Sequence, residues 1–119
     1  MAGVAVLLCA LAGFATSPTG SRILFPGDSN VPASVQEFAW RVIQTQCRYQ
    51  RLELEERSYW AYRVETRRVG AGVAYEIHVL SDVAWKKTEP SAFIDMTVVD
   101  DGSLRLAGLT SKFAVCASG

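Results

Sequence analysis

The chain has little of what most enzyme chemistry requires. Histidine occurs once, at His78, and cysteine three times, at Cys9, Cys47 and Cys116. A lone histidine in a strand pattern, with no serine or free cysteine at a recognisable spacing, argues against a nucleophile–base pair. One histidine and one cysteine pair do not make a zinc site, so no metal and no cofactor is expected. There is no glycine loop between a strand and a helix, the pattern that cradles phosphate. Charge of one sign is not in excess either: 12 Lys and Arg balance 12 Asp and Glu. Nucleic acid and anionic membranes call for a basic surplus, so neither is expected as a partner. The apolar run at residues 4–12 is too short to span a bilayer. Finally, one helical pattern is followed by strands to the end, so a single helix must cover one face of one sheet.

What is present suits one globular domain. The 119 residues are half apolar and one-fifth charged, enough for one core and too few for two ordinary ones. Residues 4–12 and the small residues after them read as a secretory leader, with Gly13-Phe14-Ala15 as the cleavage site before Thr16. The domain organisation is therefore a signal peptide over 1–15 and a folded domain over 16–119, secreted and extracellular. This leader has no lysine or arginine, and an ordinary buried or disordered N-terminus is the other reading. Leu8 stands before Cys9 where a lipoprotein signal wants a small residue. Cleavage removes Cys9 and leaves Cys47 and Cys116 in an oxidising compartment. One pairing is then possible, closing a loop near 70 residues that the chain-entropy model values at about 4 kcal/mol. Two buried free thiols are the alternative.

Residues 17–32 hold three prolines, Gly20 and Gly27, which predicts an extended segment with turns. Ile23, Leu24 and Phe25 form a short edge strand within it. Ser34-Val35-Gln36-Glu37 matches a capping box. Val35, Phe38, Ala39, Val42, Ile43 and Cys47 then trace one buried helical stripe, predicting a helix over about 34–49. Residues 51–57 are a charge run, read as a solvated face. Trp60, Tyr62, Val64 and Thr66 alternate with polar or small neighbours as a strand does, and so do Val73, Tyr75, Ile77 and Val79. Gly70-Ala71-Gly72 sits between them as a hairpin tip. Residues 92–99 are a third strand and Asp100-Asp101-Gly102-Ser103 a turn. Residues 104–115 are the last strand, with a bulge at Gly108. His78 reads as a surface residue of the sheet, and Asp100-Asp101 as a solvated turn rather than a pair of catalytic carboxylates.

What remains is a surface. If the strands meander, the tips at 67–72 and 100–103 project from one end of the sheet, and the segment around Gly27 can reach that end too. Glycines at a tip let backbone approach another protein closely. They also satisfy positive φ in tight turns, and the sequence leaves both roles open.

These residues resemble the cystatins, especially secreted single-domain ones of the arthropod salivary type. The likeness rests on the order of leader, glycine segment, long helix and four strands. Arg68-Val69-Gly70-Ala71-Gly72-Val73-Ala74-Tyr75 is similar to the family's Gln-x-Val-x-Gly hairpin, and Cys116 to its near-terminal cysteine. The resemblance implies an α+β, cystatin-like fold, one long helix across a curved four- or five-stranded antiparallel sheet. It implies a reversible, non-covalent inhibitor of papain-like cysteine proteases, monomeric and without enzymatic activity. Gly27 then matches the N-terminal glycine. Arg68, Val69, Gly70, Ala71 and Gly72 match the first hairpin, and Asp100, Asp101 and Gly102 the second. Some positions depart: Arg68 replaces glutamine, the second hairpin has no Pro-Trp anchor, and the family's two usual disulfides are absent. Two further readings follow, a secreted cystatin-fold binding protein without protease inhibition and a different helix-on-sheet domain.

Overall fold

The computed structural model describes residues 22–48, 57–82 and 91–116. The expected leader, Cys9, residues 51–56 of the charge run and the connection at 85–90 lie outside the described residues. The chain is α+β. In order it forms β1 (Ile23–Leu24), α1 (Ala33–Gln46), β2 (Cys47–Arg48), β3 (Ser58–Val69), β4 (Gly72–Asp82), β5 (Ala92–Asp100), β6 (Leu104–Lys112) and β7 (Val115–Cys116). Five strands make one curled sheet in the order β1-β3-β4-β5-β6, and β2 pairs with β7 separately. Among the described residues no helix is long and apolar enough to cross a membrane.

The helix packs where its stripe predicts. Val35, Ala39, Val42 and Ile43 are buried against Tyr59, Ile77, Val79, Ile94, Met96 and Val98 of the inner sheet face. Phe38 is only half-buried. Trp40, outside the predicted stripe, is buried, with its ring edge-on to Tyr59 at 5.2 Å. Such a contact adds about 0.5–1.5 kcal/mol beyond area burial.

The helix begins and ends differently from the prediction. Pro32 occupies the N-cap position with an extended backbone, and no side chain caps the helix. Gln36 instead donates Nε2 to the carbonyl of Val31 at 3.0 Å, and Glu37 pairs with Arg22. The capping box is therefore not formed: the fixed φ of proline starts the helix before Ser34 can. At the other end the chain turns extended at Cys47, short of residue 49, because Cys47 and Arg48 pair antiparallel with Cys116 and Val115.

The sheet is mixed rather than antiparallel. Strands β3 to β6 meander, but β1 runs parallel to β3, with Ile23 opposite Tyr59 and Leu24 opposite Trp60. A helix between two neighbouring strands returns the chain to the end where it began, which favours this parallel pairing. Two irregularities interrupt the meander. Ala61 pairs with Val79 and Arg63 with His78, so Tyr62 is an extra residue. Tyr59 and Ala61 therefore face the core while Trp60 and Tyr62 face solvent, against the simple alternation. On β6, Thr97 pairs with Gly108 and Val98 with Leu106, which makes Ala107 the extra residue, beside the expected glycine. The last predicted strand is broken at Phe113, whose φ is +64°, and resumes as β7. Arg57, at the end of the charge run, is buried rather than solvated, donating Nε to Ser81 Oγ at 2.8 Å.

Cys47 and Cys116 form a disulfide across the β2–β7 pair, with Cα atoms 4.0 Å apart and 69 residues between them in sequence. It ties the end of the helix to the end of the chain. Replacing both cysteines by serine is expected to lower stability by about 4 kcal/mol in urea unfolding. Alkylation of Cys47 and Cys116 in unreduced, folded protein would contradict this bond.

Candidate functional site

Two hairpin tips form the most distinctive surface. Gly70 and Ala71 alone connect β3 to β4, with Val69 opposite Gly72. Gly70 has φ +59° while Ala71 does not enter the positive-φ region. This is the pattern of a type II′ turn, whose first central residue is glycine and whose twist matches the flanking strands. The second tip, Asp101-Gly102-Ser103, connects β5 to β6. The Asp101 N–H donates to the Ser103 carbonyl, and the Gly102 N–H to Asp100 Oδ1, each at 3.3 Å. Asp101 also faces Arg105 at 3.8 Å.

The register brings these tips together, since Val73 lies opposite Asp100. Gly72 is buried by this contact. A Cβ there would sit 2.4 Å from the Asp100 carbonyl oxygen, and 2.7 and 2.8 Å from Asp101 Cβ and Cα. No side chain fits without moving backbone. Both glycine roles left open by the sequence are thus present, at different residues. Gly70 supplies the positive φ and Gly72 the close approach, and the backbone approached is that of the neighbouring hairpin. Arg68, Gly70, Ala71, Asp101 and Gly102 are exposed around this contact, and Val69 and Asp100 are half-buried.

Gly27 is not brought to the tips. It lies in the turn after β1, where the Ser29 N–H donates to the Pro26 carbonyl at 3.1 Å. Leu24 pairs with Trp60, and from Trp60 the strand runs to Gly70 over about 33 Å at roughly 3.3 Å per residue. Gly27 is three residues past Leu24, a reach of at most about 11 Å. Even with the curl of the sheet, it stays out of contact with Gly70.

The outer face of the sheet carries a second grouping. Arg63, His78 and Asp95 lie side by side on β3, β4 and β5, and Glu65 stands opposite Glu76 one row nearer the tips. His78 Nδ1 is 2.8 Å from Asp95 Oδ1. Arg63 Nε donates to Glu65 Oε2 at 2.9 Å, and Arg67 Nε to Glu76 Oε2 at 3.1 Å. Beside them Tyr62, Phe93, Asp95, Thr110, Ser111 and Lys112 line an open depression of about 350 Å³. His78 is a half-exposed residue of the sheet, as expected. The sequence signal for its neighbours was weak: Glu76 and His78 are two apart on one strand face, but Glu65 and Asp95 join them only through pairing.

No protein-family model, no curated protein and no solved structure matches the chain. Gly72→Ala is expected to cost about 1–3 kcal/mol in urea unfolding, as overpacked sites do. Ala71→Ser, at the exposed tip, should change stability by less than about 0.5 kcal/mol. Equal effects at the two positions would contradict the tip-to-tip contact.

Proposed function

We propose that the joined hairpin tips are a recognition edge that enters the active-site groove of a papain-like cysteine protease and blocks it reversibly, with no covalent step. The observation that carries this reading is the contact of Gly72 with Asp100 and Asp101. It makes one edge of two hairpins, held by backbone rather than by long side chains. An edge already ordered in the free protein loses little conformational entropy on binding. Small residues at Gly70, Ala71 and Gly102 let main chain approach a groove floor closely. On this reading the chain is a secreted, monomeric, cystatin-like inhibitor and not an enzyme. The disulfide is compatible with an oxidising compartment.

A specific observation favours a second reading. Gly27 lies away from the tips, and the second tip offers Asp101 and Ser103 in place of an aromatic anchor. Losing one such hot spot costs 2 kcal/mol or more, roughly thirtyfold in affinity. A cystatin-like binding protein that acts on another partner through the same edge fits these features.

The purified mature protein is expected to inhibit at least one papain-like protease competitively. Ala71→Glu should weaken that inhibition at least about tenfold by placing a charge in the groove, with the melting temperature unchanged. No inhibition across a panel of cathepsin-type enzymes at about 10 μM would discard the first reading and leave the second.

A further inference from the structure

We infer that the outer face of the sheet carries a divalent transition-metal site made by Glu65, Glu76 and His78, with Asp95 orienting the histidine. One ligand atom from each of Glu65, Glu76 and His78 lies within 4.8 Å of the others. Strand pairing produces this grouping: Glu65 and Glu76 are directly opposite on β3 and β4, and His78 follows Glu76 on the same face. Like charges directly opposite in an antiparallel pair repel each other. Arg63 and Arg67 offset part of that repulsion, and a cation held between the two carboxylates would offset it directly.

The neighbours leave room for it. Arg63 and Arg67 reach Glu65 and Glu76 through Oε2 in both cases, so these ion pairs do not engage Oε1 of either carboxylate. These are surface ion pairs, with arginine side chains about 60% exposed, and pairs of that kind contribute little. They do not hold the carboxylates against a coordinating ion. The histidine is prepared more specifically. In the neutral imidazole, a carboxylate of Asp95 that accepts at 2.8 Å selects the tautomer with the proton on Nδ1, which has its lone pair on Nε2. A carboxylate behind a histidine is the usual support of a metal-binding imidazole: it fixes the tautomer and raises the basicity of the free nitrogen.

The donor set selects the ion. One imidazole and two carboxylates suit Zn²⁺, Co²⁺, Ni²⁺ or Cu²⁺, whereas Mg²⁺ and Ca²⁺ take oxygen ligands alone. Three protein ligands on an accessible face leave the remaining positions to water. Bound there, the ion ties β3 to β4 four residues short of Val69 and so stiffens the hairpin that ends in Gly70. The site stands whether or not the tips bind a protease.

The test uses tag-free protein with the disulfide closed, titrated calorimetrically with zinc chloride, and with Co²⁺ followed by visible absorption. The expected result is one ion per chain and a higher melting temperature with zinc. His78→Ala should abolish the cobalt spectrum, and Glu65→Gln and Glu76→Gln should each weaken binding at least about tenfold. Asp95→Asn, which keeps the surface but removes the carboxylate behind the imidazole, should weaken it about 10–100-fold. Circular dichroism confirms that each variant is folded. No heat up to about 1 mM zinc, or binding unchanged in folded His78→Ala, would overturn the site. Displacement by an equal concentration of Mg²⁺ would overturn the nitrogen–oxygen assignment.

Discussion

Among the described residues a single helix closes the core of a five-stranded sheet, and the rest of the described structure follows from that constraint. Fourteen residues of helix span only about 21 Å at 1.5 Å per residue. A flat sheet would leave much of its apolar face in water. The sheet curls instead, so that Val35, Ala39, Val42 and Ile43 meet strands β3, β4 and β5 while Trp40 fills the space against Tyr59. Extra residues in edge-side strands are one way to create such curvature, and Tyr62 and Ala107 are placed for it. The same bulge at Tyr62 turns two aromatic residues, Trp60 and Tyr62, away from the core.

The two sides of the sheet divide the molecule's physical roles. The inner side is apolar and buried. On the outer side Arg67 pairs with Glu76, Arg63 pairs with Glu65 and His78 is hydrogen-bonded to Asp95. Such charges also discourage pairing of the β3 edge with another chain, because among the described residues most of β3 beyond Trp60 has no strand on the side away from β4. The tips belong to neither side. There main chain packs on main chain at Gly72, with no side chain between the two hairpins at that point.

Much of this was legible in the sequence, and the failures have identifiable causes. The helix stripe, the two hairpin tips and the Cys47–Cys116 pairing depend on short periodicities or on simple counting, and the structure carries all three. Ser34 and Glu37 look like a capping box in sequence, but Pro32, two residues before Ser34, already fixes a helix-starting φ. A narrow stripe omits Trp40, the position where a large ring reaches sideways to Tyr59. The two residues of β1 carry no signal of strand direction. The face of Trp60 and Tyr62 depended on a bulge that has no glycine to announce it. At the tips the glycines were visible, but not their division of labour. Glu65, Glu76, His78 and Asp95 come from three strands, and only their register joins them.

Whether the joined tips are the binding surface is decided by a backbone amide NMR titration of the isotope-labelled protein with unlabelled papain. Shifts are expected at residues 68–72 and 100–103, with the helix and the outer sheet face unmoved. Saturable binding that shifts the outer face or β1 while leaving both tips unperturbed would contradict it.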